Sequence, residues 1–203
     1  MYKYLLHKII LPFFFASLLI ALVLSAIFID IFIFHNPINE ISLTESLQEL
    51  FLLIISLTFF SLARQYKNYR AGLFLISAFF GSLFLRELDF LFDPLPYISW
   101  FTFVLPLVLI ALFYALRNQE NCLNGLQHFT KDSSFPLMFC GLLTVLVFSR
   151  IIGMNIIWQN VLQQDYARVV KNVIEEGSEL FGYTLTLLAT FKYKYKLTGK
   201  LFF

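Results

Sequence analysis

Six apolar runs of about twenty residues each, separated by short polar segments, leave this chain few ways to fold. The hydrocarbon core of a bilayer is roughly 30 Å thick, and a helix of about that many residues crosses it with its backbone N–H and C=O groups bonded internally. With 59% hydrophobic residues, 26 phenylalanines and only 14% charged residues among 203, the chain is far too apolar for an ordinary soluble domain. The pattern predicts an all-α, polytopic membrane protein with one transmembrane domain over 1–203, its six spans covering about 9–34, 44–63, 71–92, 98–116, 135–152 and 168–191. The first run follows MYKYLLHK, is too long for a signal peptide and lacks an A-x-A cleavage pattern, so it reads as a retained span. Cys122 and Cys140 have no C-x-x-C spacing and read as reduced thiols. No basic, Gly-rich or aromatic nucleic-acid motif occurs, so the bilayer, and not nucleic acid, is the expected partner.

One stretch breaks the apolar pattern. Lys171 to Tyr183, KNVIEEGSELFGY, sets Glu175, Glu176 and Glu179 inside the sixth run. Each charge carried to the middle of a membrane helix costs roughly 2.5–3.5 kcal/mol on insertion scales, so three together demand a polar interior shared with other helices. Asn172, Glu176, Glu179 and Tyr183 follow at spacings of four, three and four, and Glu175 lies four before Glu179, which makes one polar stripe. Gly177 and Gly182 beside it would let a neighbouring helix approach closely.

Other segments supply candidate partners. Asp30 stands near the far end of span one, and Ser42 with Glu45 forms the S-x-x-E pattern of a capping box; Glu49, one turn deeper beside Gln48, is not explained by capping. Span three ends with Arg86, Glu87, Asp89 and Asp93; continued helix would put Ser82, Arg86, Asp89 and Asp93 on one face and turn Glu87 aside, before Pro94 and Pro96 mark a turn. Span five ends at Ser149 and Arg150. In the connection from Arg117 to Ser134, Leu123, Leu126 and Phe129 suggest a short surface helix, and 154–164, with Ile157, Trp158 and Val161 on one side, reads as an interfacial helix.

Basic residues set the orientation. Lys3 and Lys8, then Arg64, Lys67 and Arg70, then Arg117 and Lys131, then Lys192, Lys194, Lys196 and Lys200 all fall on one side of a six-span arrangement, with Arg168 and Lys171 the exceptions. The positive-inside rule then puts both termini in the cytoplasm. Every intramembrane charge lands in the outer half, Glu179 roughly 16 Å below Arg168 and both Arg86 and Glu49 roughly 8–10 Å deep. The expectation is a cavity open to the outside and lined by spans two, three, five and six. Its polar residues would be Glu49, Arg86, Glu87, Asp89, Arg150, Glu175, Glu176, Glu179 and Tyr183. Crowded carboxylates either share protons or bind a cation. With no thiolate and no pair of histidines nearby, a metal there would be a hard divalent ion such as Ca²⁺, Mg²⁺ or Mn²⁺ on Glu49, Glu176 and Glu179. The arginines could equally hold a lipid headgroup.

The combination of R-E-L-D at Arg86 to Asp89, F-S-R-x-x-G at Phe148 to Gly153 and K-N-x-x-E-E-G-x-E-L-x-G-Y at Lys171 to Tyr183 resembles a family of small bacterial multi-pass membrane proteins of unknown function. The resemblance covers most of the chain from span two onward and the last motif is its most specific part; it implies a bacterial inner membrane and adds no reaction. The E-E-x-x-x-R pattern of glutamate-type intramembrane proteases fails because Leu180 stands where arginine is needed, and no G-x-S-x-G, S-x-x-K or phosphate-binding glycine loop is present. Three readings stay open: a site binding a cation, protons or a polar headgroup; an enzyme acting on a lipid or prenyl substrate through paired carboxylates; and a structural subunit whose ion pairs only fix helix packing. The sequence is as compatible with an oligomer as with a monomer.

Overall fold

A computed structural model describes residues 6–36, 38, 41–92, 99–162 and 164–199. All regular structure among them is helical. Helix α1 (Leu11–Phe28) continues from a π-helical turn at Leu6–Ile10 into another at Ile29–Ile33. Then follow α2 (Leu43–Gln65), α3 (Arg70–Glu87), α4 (Trp100–Arg117), α5 (Gln119–Lys131) and α6 (Phe135–Leu143). The last of these runs on through a π turn at Thr144–Phe148 and a final turn at Ser149–Ile152. A short α7 (Asn155–Val161) precedes α8 (Gln164–Thr198).

Five stretches, Phe13–Ile33, Leu43–Gln65, Lys67–Glu87, Trp100–Arg117 and Phe135–Ile152, are long and apolar enough to cross a membrane. They leave apolar side chains outward, Phe13, Phe32, Leu109 and Phe113 among them, as helices surrounded by hydrocarbon do. At 35 residues α8 is about 52 Å long, enough to cross and project beyond, but it is not among the five. It is amphipathic and forms the centre of the bundle, packed by α1, α2, α6 and α7. Its Leu180, Tyr183, Ala189 and Tyr193 are fully buried, the last three against Leu52, Ile55 and Phe59 of α2 and Leu73 and Phe80 of α3.

Close helix contact is made by small residues. A Cβ on Gly182 would stand 2.6 Å from Val145 Cγ2 and 2.8 Å from the Gly141 carbonyl oxygen, so α6 and α8 touch backbone to backbone. Gly177 meets only the tip of Ile27, at 2.9 Å.

Helices α2 and α8 run parallel, since Gln48 reaches Glu176 near one end and the Tyr66 hydroxyl donates to the Leu197 carbonyl (2.7 Å) at the other. Helix α6 runs against them: Arg150 meets Glu175, and Lys192 Nζ donates to the Ser133 carbonyl (2.9 Å). The bundle therefore has an acidic end, holding Glu45, Glu49, Glu87, Asp89, Glu175, Glu176 and Glu179, and a basic end, holding Arg64, Lys67, Arg70, Arg117, Lys131, Lys192 and Lys196.

Two local expectations are corrected. Helix α3 stops at Glu87, and Leu88 takes φ −86°, ψ 14°, so the helical register does not carry on to Asp89. The expected short surface helix forms as α5, with Phe129 on its buried face, but the rest of that face is Cys122 and Gly125, set against α3, and Leu123 is 65% exposed. Helix α7 forms where the sequence predicts one; Val161 on it is exposed, and Trp158 donates its indole N–H to the Ile152 carbonyl (2.7 Å). Lys3, Pro37, Asn39, Asp93, Pro94, Pro96 and Lys200 lie outside the described residues.

Candidate functional site

The acidic end rests on two helix caps as well as on ion pairs. Ser42 Oγ accepts from the Glu45 N–H (3.1 Å), which starts α2. Asp30, fully buried, adds a second cap from the end of the first span: Oδ1 accepts from Leu43 N–H (2.8 Å), and Oδ2 from Thr44 N–H (2.8 Å) and the Thr44 hydroxyl (2.6 Å). A carboxylate on a helix N-terminus satisfies orphan amides and meets the positive end of the dipole. This joint fixes where Glu45, Gln48 and Glu49 enter the bundle. The sequence shows Asp30 and Thr44 but offers no signal that they meet.

Two ion-pair systems follow. Arg150 spreads its guanidinium between two carboxylates one turn apart on α8, with Nη1 2.8 Å from Glu175 Oε1 and Nη2 2.7 Å from Glu179 Oε1. The second contact is an ion pair without an aligned hydrogen bond, so the Glu179 oxygen, sealed from water, has no hydrogen-bond donor among the described residues. Lys171 Nζ sits 2.8 Å from Glu175 Oε2, four residues along the same helix. Gly153 makes room for this arrangement; a Cβ there would fall 2.6 Å from the Glu175 carboxyl carbon.

The other system is centred on Glu87. Its Oε1 accepts from Arg86 Nη2 (2.6 Å) and from the Tyr183 hydroxyl (3.0 Å), which ties the end of α3 to the middle of α8. Glu87 is thus in the site and not turned aside, because α3 terminates there; Asp89 is exposed. Glu176 has no cationic partner among the described residues. Gln48 Nε2 donates to its carbonyl (3.0 Å) and to its Oε2 (3.2 Å).

These groups surround an open cavity of about 340 Å³ lined by Glu45, Arg86, Glu87, Asp89, Trp100, Arg150, Glu176 and Glu179. Five carboxylates face two guanidiniums. A smaller hollow of about 60 Å³ adjoins it through Glu45, Glu87 and Asp89 and takes in Gln48 and Glu49. A wider recess of about 630 Å³, reached past Glu45 and Glu176, carries Arg168 and Asn172. Of the nine site residues named from the sequence, Arg86, Glu87, Asp89, Arg150, Glu176 and Glu179 line the main cavity. Glu175 and Tyr183 support it from behind through Arg150 and Glu87, and Glu49 lies in the neighbouring hollow. Trp100 and Glu45 complete the lining; the sequence reading favoured capping over a site role for Glu45 and gave Trp100 no role.

Glu49, Glu176 and Glu179 do not form a metal centre. Among the described residues no three acidic, histidine or cysteine side chains stand close enough to hold an ion. Glu176 is bonded by Gln48 and Glu179 is paired with Arg150, while Glu49 lines the adjoining hollow. What the main cavity offers is an excess of carboxylate acceptors, two guanidinium forks and one indole, a lining suited to a ligand with N–H donors or a cationic nitrogen.

No protein-family model matches this chain, and comparison with curated proteins and with solved structures finds no significant relative in either.

Proposed function

We propose that the protein is an integral membrane protein whose acidic-end cavity binds a small ligand carrying an ammonium group, free or as part of a zwitterionic headgroup. The observation behind this reading is the lining itself: five carboxylates and two guanidiniums from separate helices around one open space of about 340 Å³. An ammonium group would meet the surplus acids and Trp100, and an anionic part of the same ligand would find Arg86 or Arg150. Positive-inside asymmetry supports placing the basic end and both termini in the cytoplasm, so that the site opens outward. The motif resemblance supports a bacterial inner membrane.

Calorimetric titration of the purified protein with phosphoethanolamine, ethanolamine and inorganic phosphate tests this. Phosphoethanolamine should bind most tightly, ethanolamine less so, and phosphate alone not at all. Glu176→Gln should weaken phosphoethanolamine binding by about tenfold. Binding that is unchanged in that variant, or strongest for phosphate alone, would refute the assignment. If none of the three bound to wild-type protein, the polar network would be a packing device only.

A further inference from the structure

At the opposite end of the bundle, a groove between α2, α3 and α4 has a chemistry that the acidic site does not use. It encloses about 250 Å³ and is lined by Phe60, Ala63, Arg64, Arg70, Phe74, Ile110 and Tyr114. Three rings form its wall in sequence: Phe60 and Phe74 lie 6.2 Å apart, and Tyr114 stands edge-on to Phe74 at 5.8 Å. Its open surface is carbon throughout, so Arg64, Arg70 and Tyr114 border it with their apolar parts.

Neither arginine has an acidic partner among the described residues. Arg70 is held at the groove by backbone alone, Nε donating to the Ala63 carbonyl (3.2 Å) and Nη2 to the Arg64 carbonyl (3.4 Å). These bonds fix the guanidinium on last-turn carbonyls of α2, the negative end of that helix, with no carboxylate paired to it among the described residues. Arg64 is exposed beside it. A cation anchored in this way differs from a surface lysine that only samples the water layer.

The dimensions define the occupant. Phe60 lies one helical turn, about 6 Å, from Arg64 toward the bilayer centre, and Ile110 lies about 10 Å from Arg117 at the basic terminus of α4. The groove therefore runs inward from two arginines without acidic partners at a helix-end level to rings and aliphatic carbon one to two turns deeper. A phospholipid has that division, a phosphate at the interface and an acyl chain below it, and basic pockets between helices are where anionic headgroups are held.

We infer that the α2–α3–α4 groove is a binding site for one anionic phospholipid, its phosphate on Arg64 and Arg70 and an acyl chain against Phe60, Phe74 and Ile110. The site is independent of the acidic cavity, with which it shares no lining residue.

Native mass spectrometry of the full chain, released from micelles containing phosphatidylcholine and phosphatidylglycerol, tests the assignment. Wild-type protein should retain one phosphatidylglycerol in preference to phosphatidylcholine by about tenfold, and the Arg64→Gln/Arg70→Gln protein should lose that preference. Since Arg70 also bonds backbone, Arg64→Gln alone serves as the second variant and should lower the preference by about threefold. Ile110→Trp, at a site 59% exposed, should expel the acyl chain and lose bound lipid with both arginines intact. Lys196→Gln, whose partners Asp132 and Ser133 lie away from the groove, should change nothing. The inference fails if the arginine variants keep the preference, if Lys196→Gln abolishes it equally, or if inorganic phosphate displaces the retained molecule.

Discussion

The two ends of the bundle are built on opposite principles. At the basic end, aromatic rings interlock: Phe59 stacks on Phe80 (6.3 Å) and Tyr193 (6.0 Å) and meets Phe129 edge-on (5.5 Å), while His128 lies over Tyr69 (4.5 Å) and contacts the Tyr193 hydroxyl (3.0 Å). At the acidic end the same helices diverge around a cavity, and charge takes over from packing: Arg150 holds Glu175 and Glu179, Glu87 holds Arg86 and Tyr183, and Asp30 caps α2. Dispersion favours the densest arrangement, whereas ion pairs tolerate space beside them as long as each buried charge has a counter-charge. An open cavity can therefore persist at the acidic end of α8 without loosening the aromatic packing around Phe59 at the other.

The contrast is open to direct test by thermal or denaturant unfolding in detergent. The largest effect belongs to Phe59→Ala, which removes a fully buried ring with aromatic neighbours on several sides and should cost about 3–5 kcal/mol. A loss below about 1 kcal/mol would mean that the basic end is not the packed half. Next, Asp30→Asn should cost about 2 kcal/mol, because a carboxylate offers an acceptor oxygen to each of Leu43 and Thr44 while an amide offers one and turns a donor toward the other. Arg150→Ala should also cost about 2 kcal/mol, less than for a fully buried pair because the arginine side chain is 45% exposed. Combining it with Glu179→Gln should recover part of that loss, since the stranded charge is then gone; additive losses would show that Arg150 acts by packing and not by charge.

Gly153→Ala should have a similar effect on stability, about 2 kcal/mol, since an added Cβ would meet both the Glu175 carboxylate and the Ser149 carbonyl oxygen (2.8 Å), while the Arg150–Glu179 pair stays. The smallest effect is at the basic end. Burial pushes the Asp132 carboxyl up, but its bonds to Ser134 and to Lys196 outweigh that and hold it below its ordinary value. With the folded value depressed, its stabilising contribution is present above the ordinary carboxylate range, near pH 4, and is lost as pH falls through the folded value. Asp132→Asn should thus lower the melting temperature slightly at neutral pH and not at all once the pH is low enough to protonate the wild-type carboxyl. A difference that persisted under acid would assign the residue a role other than its charge.

Some of this geometry can be read along the chain and some cannot. Glu175, Glu176 and Glu179 announce a polar interior because lipid forbids isolated charge, and the S-x-x-E start of α2 is a local pattern with a local cause. Glu87 is misplaced by helical projection, since projection assumes a helix that continues, and α3 ends at that residue. Leu123 is taken for a contact residue of α5 on amphipathic spacing, yet α3 covers the neighbouring Cys122–Gly125–Phe129 face, a choice made by the partner helix. Asp30 gives no sign of its cap, because residues 13 and 14 positions away must fold back to supply the amides.

The sequence by itself determined the material of this protein: helices, most of them apolar enough for a bilayer, with most of the acids at one set of helix ends and most of the lysines and arginines at the other. Hydropathy and charge are properties of single residues and survive in any arrangement, so they can be read before folding. Only the tertiary structure decided that Arg150 would serve Glu175 and Glu179, that Gln48 would take Glu176, and that Arg64 and Arg70 would stand over an aromatic groove. Those pairings depend on which helix faces which, and that is fixed by close approaches such as Gly141 on Gly182, where two backbones meet across distant parts of the chain.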